Sequence, residues 1–399
     1  MSDHNDNVTR PARSRLNQPR LWGAIGSILA LSMLLGCATL PVRLYNEHQQ
    51  AIAVIDGIPD ARFWADDPLA LAATRAAKPE SDATAMLALS GGGDGGAYGA
   101  GFLNGWTQSG KRPEFAIVTG VSTGALLAPF AFLGSRYDDR LKAAFTSIGP
   151  KDIYNARFPL VIPFSVSVAG TKPLWRLLNV YFSQAVIDDI AREHRRGRRL
   201  FVSTANLDAQ RAVVWNMGAI AASTSPDRYR LFRRVILASC AIPAVFPPVI
   251  IETRSGDQVI REVHVDGSTA GSLIAVPPAL SVIGPVASSA VPDDLYLVVD
   301  AQLGGNFRLL KGGVLTIAQY AMSLATSAAT REQVTNAFLW SRRNAATFHL
   351  SYIDTDFDYG GRHVNFDNAY MNRLYNYGYA RGAKAAWLAT PPTGDPTKS

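Results

Sequence analysis

Three short stretches of this sequence hold residues whose types and spacing could do chemistry together. Gly120-Val-Ser122-Thr-Gly124 fits G-x-S-x-G, in which a strained turn lifts a serine hydroxyl clear of the backbone. With 33 glycines in the chain the letters alone are weak, so the setting decides. An apolar run enters the motif and a helix-length run leaves it, which predicts strand, turn and helix. The helix N-terminus then lends positive potential to a nearby oxyanion. The plain alternative is a serine that only caps a helix. The second stretch, Ser90 to Gly101, is dense in glycine and also lies between a predicted strand and a predicted helix. Its glycines allow successive backbone N–H groups to converge on an anion, either a phosphate or the oxyanion of a tetrahedral intermediate. Gly91 to Gly96 also fits G-x-G-x-x-G, but no clear acidic residue ends the next strand to hold a ribose. No lysine follows the glycines, which excludes a P-loop. The third stretch, Val263-His-Val-Asp266-Gly267, ends a predicted strand; alone it is ordinary turn chemistry.

Taken in this order, the three stretches resemble the patatin-like phospholipase family. That family carries a glycine-rich oxyanion loop, a G-x-S-x-G serine and an Asp-Gly aspartate. The run Ala238-Ser-Cys-Ala-Ile-Pro-Ala-Val-Phe-Pro-Pro248 adds a fourth match, and the likeness covers roughly residues 85 to 275. It implies an α/β, patatin-like three-layer fold: a central mostly parallel sheet, helices on both faces and a nucleophile elbow. It also implies a lipid acyl hydrolase that cleaves carboxylic esters as a phospholipase A or lysophospholipase does. Ser122 would be the nucleophile, Asp266 its general base, and the amides of Gly91, Gly92 and Gly93 the oxyanion hole, with neither cofactor nor metal.

Two positions depart from the family pattern. Asp94 and Gly95 stand where the glycine loop often carries Arg or Lys, and Ser268 replaces the second glycine of Asp-Gly-Gly. A carboxylate near an oxyanion is costly, so Asp94 is expected to face solvent or cap the next helix. Two rivals remain open. One is a Ser–His–Asp esterase built from Ser122, Asp300 and His363, in the chain order serine, acid, histidine. The other is a catalytically inactive, lipid-anchored binding protein on the same fold. His264 lies two residues from Asp266 and so shares its strand face; it reads as a packed or surface histidine, or as a hydrogen-bonding neighbour of the site.

Positioning such residues takes alternating strands and helices. Strands are predicted at 86–90, 115–120, 200–205, 212–216, 245–251, 259–265, 295–300 and 346–353. Helices are predicted at 97–108, 123–133, 314–343 and 368–388. Gly99, Gly101 and Gly105 lower the propensity of the first of these. Residues 155–173, rich in proline and aromatics, read as a loop or cap over a site. The apolar, proline-punctuated stretch 277–292 fits no element. The arginine run 192–199 reads as a solvated turn, with contact to anionic headgroups as the alternative.

The 399 residues suffice for a large core, and 48% hydrophobic with 18% charged is an ordinary globular balance. A net charge of +7 without a zinc-finger or basic-aromatic module gives no reason to expect nucleic acid. Two cysteines, Cys37 and Cys240, exclude a disulfide framework. Near the N-terminus, four arginines precede a short apolar run that ends in Leu34-Leu35-Gly36-Cys37. That run is too short for a comfortable span and has the layout of a secretory signal. Its end resembles the bacterial lipobox, which implies a lipidated Cys37; an uncleaved anchor or an incidental cysteine is the alternative. By that resemblance the protein is lipid-anchored on the outer membrane and faces the periplasm, with membrane lipids or other lipid esters as substrate. The expected organisation is a signal peptide at 1–36, a leader packing on the core at 37–84, the hydrolase domain at 85–390 and a disordered tail at 391–399.

Overall fold

Met86 to Leu89 illustrate why the sheet forms. All four are buried, with Leu87 and Leu89 in one apolar cluster and Met86 and Ala88 in another. Alternation along an apolar strand therefore supplies cores to both faces at once. The computed structural model describes residues 43–67, 83–156, 167, 169–275, 292–304, 309, 313–358 and 366–392. Its strands are β1 (Arg62–Trp64), β2 (Ala85–Leu89), β3 (Phe115–Val121), β4 (Asn155–Ala156), β5 (Ala169–Gly170), β6 (Arg199–Asn206), β7 (Arg211–Asn216), β8 (Val249–Ser255), β9 (Gln258–Asp266), β10 (Asp294–Val299) and β11 (Thr347–Tyr352). Its helices are α1 (Glu47–Ala51), α2 (Gly96–Gln108), α3 (Thr123–Leu133), α4 (Asp138–Thr146), α5 (Pro150–Ile153), α6 (Lys172–Tyr181), α7 (Gln184–Arg195), α8 (Met217–Ala222), α9 (Arg228–Ser239), α10 (Val314–Arg343) and α11 (Asn368–Ala383).

The central strands β11, β10, β2, β3 and β6 are mutually parallel. Beyond β6, strands β7 and β1 add antiparallel. The larger core cluster holds residues of α2, α3, α7, α9 and α11 against one face, and α10 supplies Val334, Ala337 and Trp340 to the other. The fold is thus α/β in three layers, with the parallel strands at its centre.

The register around β6 sets up the site. β3 pairs with β6 only as far as Val121 opposite Ser203. The next three residues of β6, Thr204 to Asn206, pair on that same side with β9, which runs antiparallel and places Asp266 opposite Thr204. The end of β3 and the end of β9 therefore meet head-on. Whatever follows Val121 must lie beside Asp266.

Several boundaries differ from the sequence expectation. The strand expected at 245–251 begins at Val249, because Pro247 and Pro248 cannot donate to a ladder and Ala244 has a φ of +66°. The helix expected to reach Leu388 ends at Ala383, after which Leu388 bridges to Leu350. α4, α6, α7 and α9 lie where no helix was expected, and α6 begins at Lys172, at the end of the proposed cap. The signal at 1–36, Cys37, His363, most of 157–168 and of 277–292, and the tail from 393 lie outside the described residues.

Candidate active site

Ser122 follows β3 directly and precedes α3, at a φ of +53° that a side-chain-bearing residue rarely adopts. Such a conformation costs about 1–3 kcal/mol and persists only where neighbours hold it. Here they do. The Ser122 N–H donates to Ser239 Oγ at 2.9 Å, and Ser239 Oγ in turn donates to the Ser203 carbonyl at 2.7 Å. The Ser122 carbonyl accepts from Ala125 N at 2.9 Å and from Cys240 Sγ at 3.2 Å. Gly120 and Gly124 cannot carry a side chain here. A Cβ at either would come within 2.4 Å of a backbone oxygen, that of Gly124 or of Leu89.

The hydroxyl held out by this turn donates to Asp266 Oδ2 at 2.6 Å, and both residues are buried. Asp266 Oδ1 accepts from the Ser268 N–H at 2.8 Å. Burial pushes the Asp266 carboxyl up to about 6, against the opposing pull of the Ser122 and Ser268 hydrogen bonds. Ser268, a departure from the family pattern, orients the carboxylate and packs against Gly91.

The glycine loop leaves β2 and passes beside the serine, with a Cβ on Gly91 falling 3.2 Å from Ser122 Cβ. Of its three leading amides, that of Gly91 is committed to the Ser272 carbonyl at 2.9 Å. The Gly91 N–H, expected in the oxyanion hole, here ties the loop to the segment after Asp266. Gly92 and Gly93 have no such bond among the described residues, and Gly93 sits at a φ of +61°. Asp94 differs too. It is fully buried ahead of α2 and does not cap that helix through its side chain.

Asp300 ends β10 on the far side of β2. It is fully buried against Gly92 and Gly99, and among the described residues neither carboxyl oxygen has a well-formed hydrogen bond. Burial raises its carboxyl well above the usual range, and the nearby Gly99 amide offsets only part of this. Asp300 is not hydrogen-bonded to Ser122; Asp266 is. His264 is buried and bonded to Thr204 and Glu262, so it faces the interior of the sheet.

A cavity of about 740 Å³ opens at Ser122 and Gly93. Its wall is apolar: Leu126 and Phe130 from α3, Leu174 and Leu178 from α6, then Phe182 and Phe246. Phe130 and Phe182 stack with centroids 5.3 Å apart. An apolar wall of this kind suits a hydrocarbon chain.

Two features of the site were not read from the sequence. Ser239 lay inside the quoted Ala238–Pro248 run without a role, because its role depends on α9 crossing under the turn. The cavity wall from α6 carried a usable signal, since Leu174, Leu177, Leu178 and Tyr181 recur at helical spacing. The arginine run at 192–199 is not a solvated turn throughout. Arg198 is buried, and its guanidinium donates to the carbonyls of Phe115 and Phe132 at 2.7 Å each.

Residues 87–281 match the family model described as patatin-like phospholipase. Among solved structures, the chain is similar to VipD from Legionella pneumophila at 11% identity, covering 77% of this chain and 68% of that one. The TM-score is 0.37. No curated protein matches.

Proposed function

Because residues 87–281 place the chain in the patatin-like phospholipase family, whose general activity is lipid acyl hydrolysis, we propose that it cleaves carboxylic esters of acyl lipids through a Ser122–Asp266 dyad. The observation that carries this reading is the 2.6 Å hydrogen bond between the two side chains at the mouth of an apolar cavity. Asp266 takes the Ser122 proton as Oγ attacks the ester carbonyl. The developing oxyanion is met by the amides of Gly92 and Gly93, near the N-terminal turn of α3. Each such donor is typically worth about 2.7–4 kcal/mol in the transition state. The protonated Asp266 then gives its proton to the departing alcohol. Water, deprotonated by the same carboxylate, releases the acid from the acyl-enzyme. The apolar wall favours a fatty acyl chain over a polar acyl group.

Fluorophosphonate labelling combined with lipid product analysis tests the reading. Ser122→Ala abolishes both labelling and release of fatty acid, and Asp266→Asn abolishes release. An unlabelled but folded wild type supports the inactive binding protein instead. Loss of activity in His363→Ala, with Asp266→Asn still active, transfers the role of base to the triad.

The lipobox likeness supports a lipidated Cys37 and an outer-membrane, periplasm-facing location for this reading. Among the described residues no helix is long and apolar enough to cross a membrane. Incorporation of labelled palmitate, lost in Cys37→Ala, together with fractionation of the membranes, tests the anchor.

A further inference from the structure

The helix α6 has two working faces. Leu174, Leu177, Leu178 and Tyr181 line the acyl cavity, whereas Thr171, Lys172, Trp175 and Arg176 line a separate open groove of about 810 Å³. The opposite wall of that groove is α9, through Arg230, Arg234 and Leu237. Each wall therefore presents two cations four residues apart, an arrangement that destabilises a helix by like-charge repulsion. Both pairs line the same groove.

Elsewhere many arginines are matched, although Lys142, Lys151 and Arg195 are also without an ion pair among the described residues. Arg43, Arg112, Arg211, Arg228, Arg254 and Arg261 each lie within 3.3 Å of a carboxylate. In the groove only Arg230 has such a partner, Asp227 at 2.8 Å, and that pair is well exposed. Lys172, Arg176 and Arg234 have no ion pair among the described residues. The other acid near Arg234 is Glu252, whose carboxylate is bonded to Arg261 at 3.1 Å. Burial, and then the charge of Arg230, push the Arg234 guanidinium below its usual value, as expected for a half-buried cation beside another. An anion in the groove would relieve this crowding, and two guanidinium forks with an ammonium are a donor set suited to phosphate oxygens.

We propose that the groove between α6 and α9 binds a phosphate group, the chemistry shared by anionic phospholipid headgroups and free phosphate esters. Neither Ser122 nor Asp266 takes part in this binding, so it stands or falls apart from the hydrolase reading.

The test uses the full chain carrying Ser122→Ala, so that lipid is not consumed. Inorganic phosphate is titrated by calorimetry, and co-sedimentation is measured with phosphatidylcholine vesicles with and without phosphatidylglycerol. The paired substitutions Lys172→Gln and Arg176→Gln, both at exposed positions, are expected to weaken binding at least tenfold. Arg234→Gln is expected to do the same, with Arg234→Lys retaining part of it. Should the half-buried Arg234 variants fail to fold, the α6 pair decides alone. Phosphate binding lost in the variants assigns the groove to free phosphate. Phosphatidylglycerol-dependent sedimentation lost in the variants, without phosphate binding, assigns it to a headgroup. Loss of both supports a site for either source. The proposal is overturned if neither probe binds, or if what binds is unchanged in the α6 pair.

Discussion

At the scale of single residues, two buried carboxyl groups answer pH in opposite ways. In the proposed mechanism Asp266 acts as a base only when ionised, and burial raises its pKa to about 6. The kcat/KM for a soluble ester is therefore expected to be level above pH 7 and to fall about tenfold per unit below pH 6. A rate profile that stays flat down to pH 4.5 would mean that Asp266 is not the titrating base. Replacing it by Asn is expected to cost about 10²–10⁴-fold in kcat. Asp300 is a stability matter. Its folded pKa lies above the unfolded value, so the fold retains a proton that the unfolded chain gives up above about pH 4. Stability is thus lost as pH rises through that window. Asp300→Asn is expected to gain on the wild type by about 1.4 kcal/mol per pH unit there, read from urea midpoints. A pH-independent difference would show that Asp300 is ionised in the fold. The hydrogen-bonded pair was legible because Ser122 and Asp266 each sit in a short motif at a strand end. Ser239, Asp94 and the commitment of the Gly91 amide were not, since each depends on a crossing partner that spacing does not encode.

At the scale of elements, the glycines of α2 reverse their sequence meaning. Read locally, Gly101 and Gly105 weaken a helix. In the fold they face Gly378 and Gly382 of α11, and the two backbones touch. A Cβ on Gly101 would lie 2.0 Å from the Tyr375 carbonyl oxygen, and one on Gly382 would lie 2.0 Å from that of Phe102. Small residues four apart on both helices permit this close approach, which in turn anchors the helix that follows the glycine loop. Gly105→Ala would set a methyl 2.1 Å from the Tyr379 carbonyl oxygen. Overpacking of this kind is expected to destabilise by about 1–3 kcal/mol in denaturant titration. A gain in stability, as helix propensity alone would give, would refute the seam. Strands were legible as apolar runs, and α3 and α10 have the boundaries expected. The helices α7 and α9 were missed although Val186, Ile187, Ile190 and Ala191, then Phe232, Val235 and Ile236, are buried at helical spacing. Their arginine content masked that periodicity.

At the scale of the whole molecule, the segment 43–67 is joined to the domain by charge as well as by packing. β1 adds to the sheet edge through β7, and the Arg62 side chain reaches inward to Glu262 on β9, with contacts of 2.5 and 3.0 Å. Arg62 also donates to the Ala53 carbonyl at 2.8 Å. Glu262 accepts from His264 Nε2 at 3.0 Å, and His264 Nδ1 lies 2.9 Å from the Thr204 hydroxyl, which accepts from Trp215 Nε1 at 2.8 Å. Glu262 can only accept at Nε2, and burial lowers the His264 pKa. The ring is therefore neutral, with its proton on Nε2, and Nδ1 accepts from Thr204. Every member of this chain is satisfied only while Arg62 is present. Removing Arg62 alone strands a buried carboxylate, a loss of about 3–5 kcal/mol. Arg62→Leu is expected to show that loss, whereas Arg62→Leu with Glu262→Leu recovers a large part of it, because a buried ion pair replaced by apolar groups of similar size is often neutral. Since Glu262 lies on the strand that ends at Asp266, the single variant should also lower kcat more than it changes KM. Equal stability of the single and double variants would show that the charge is not what ties this segment to the strand that ends at Asp266.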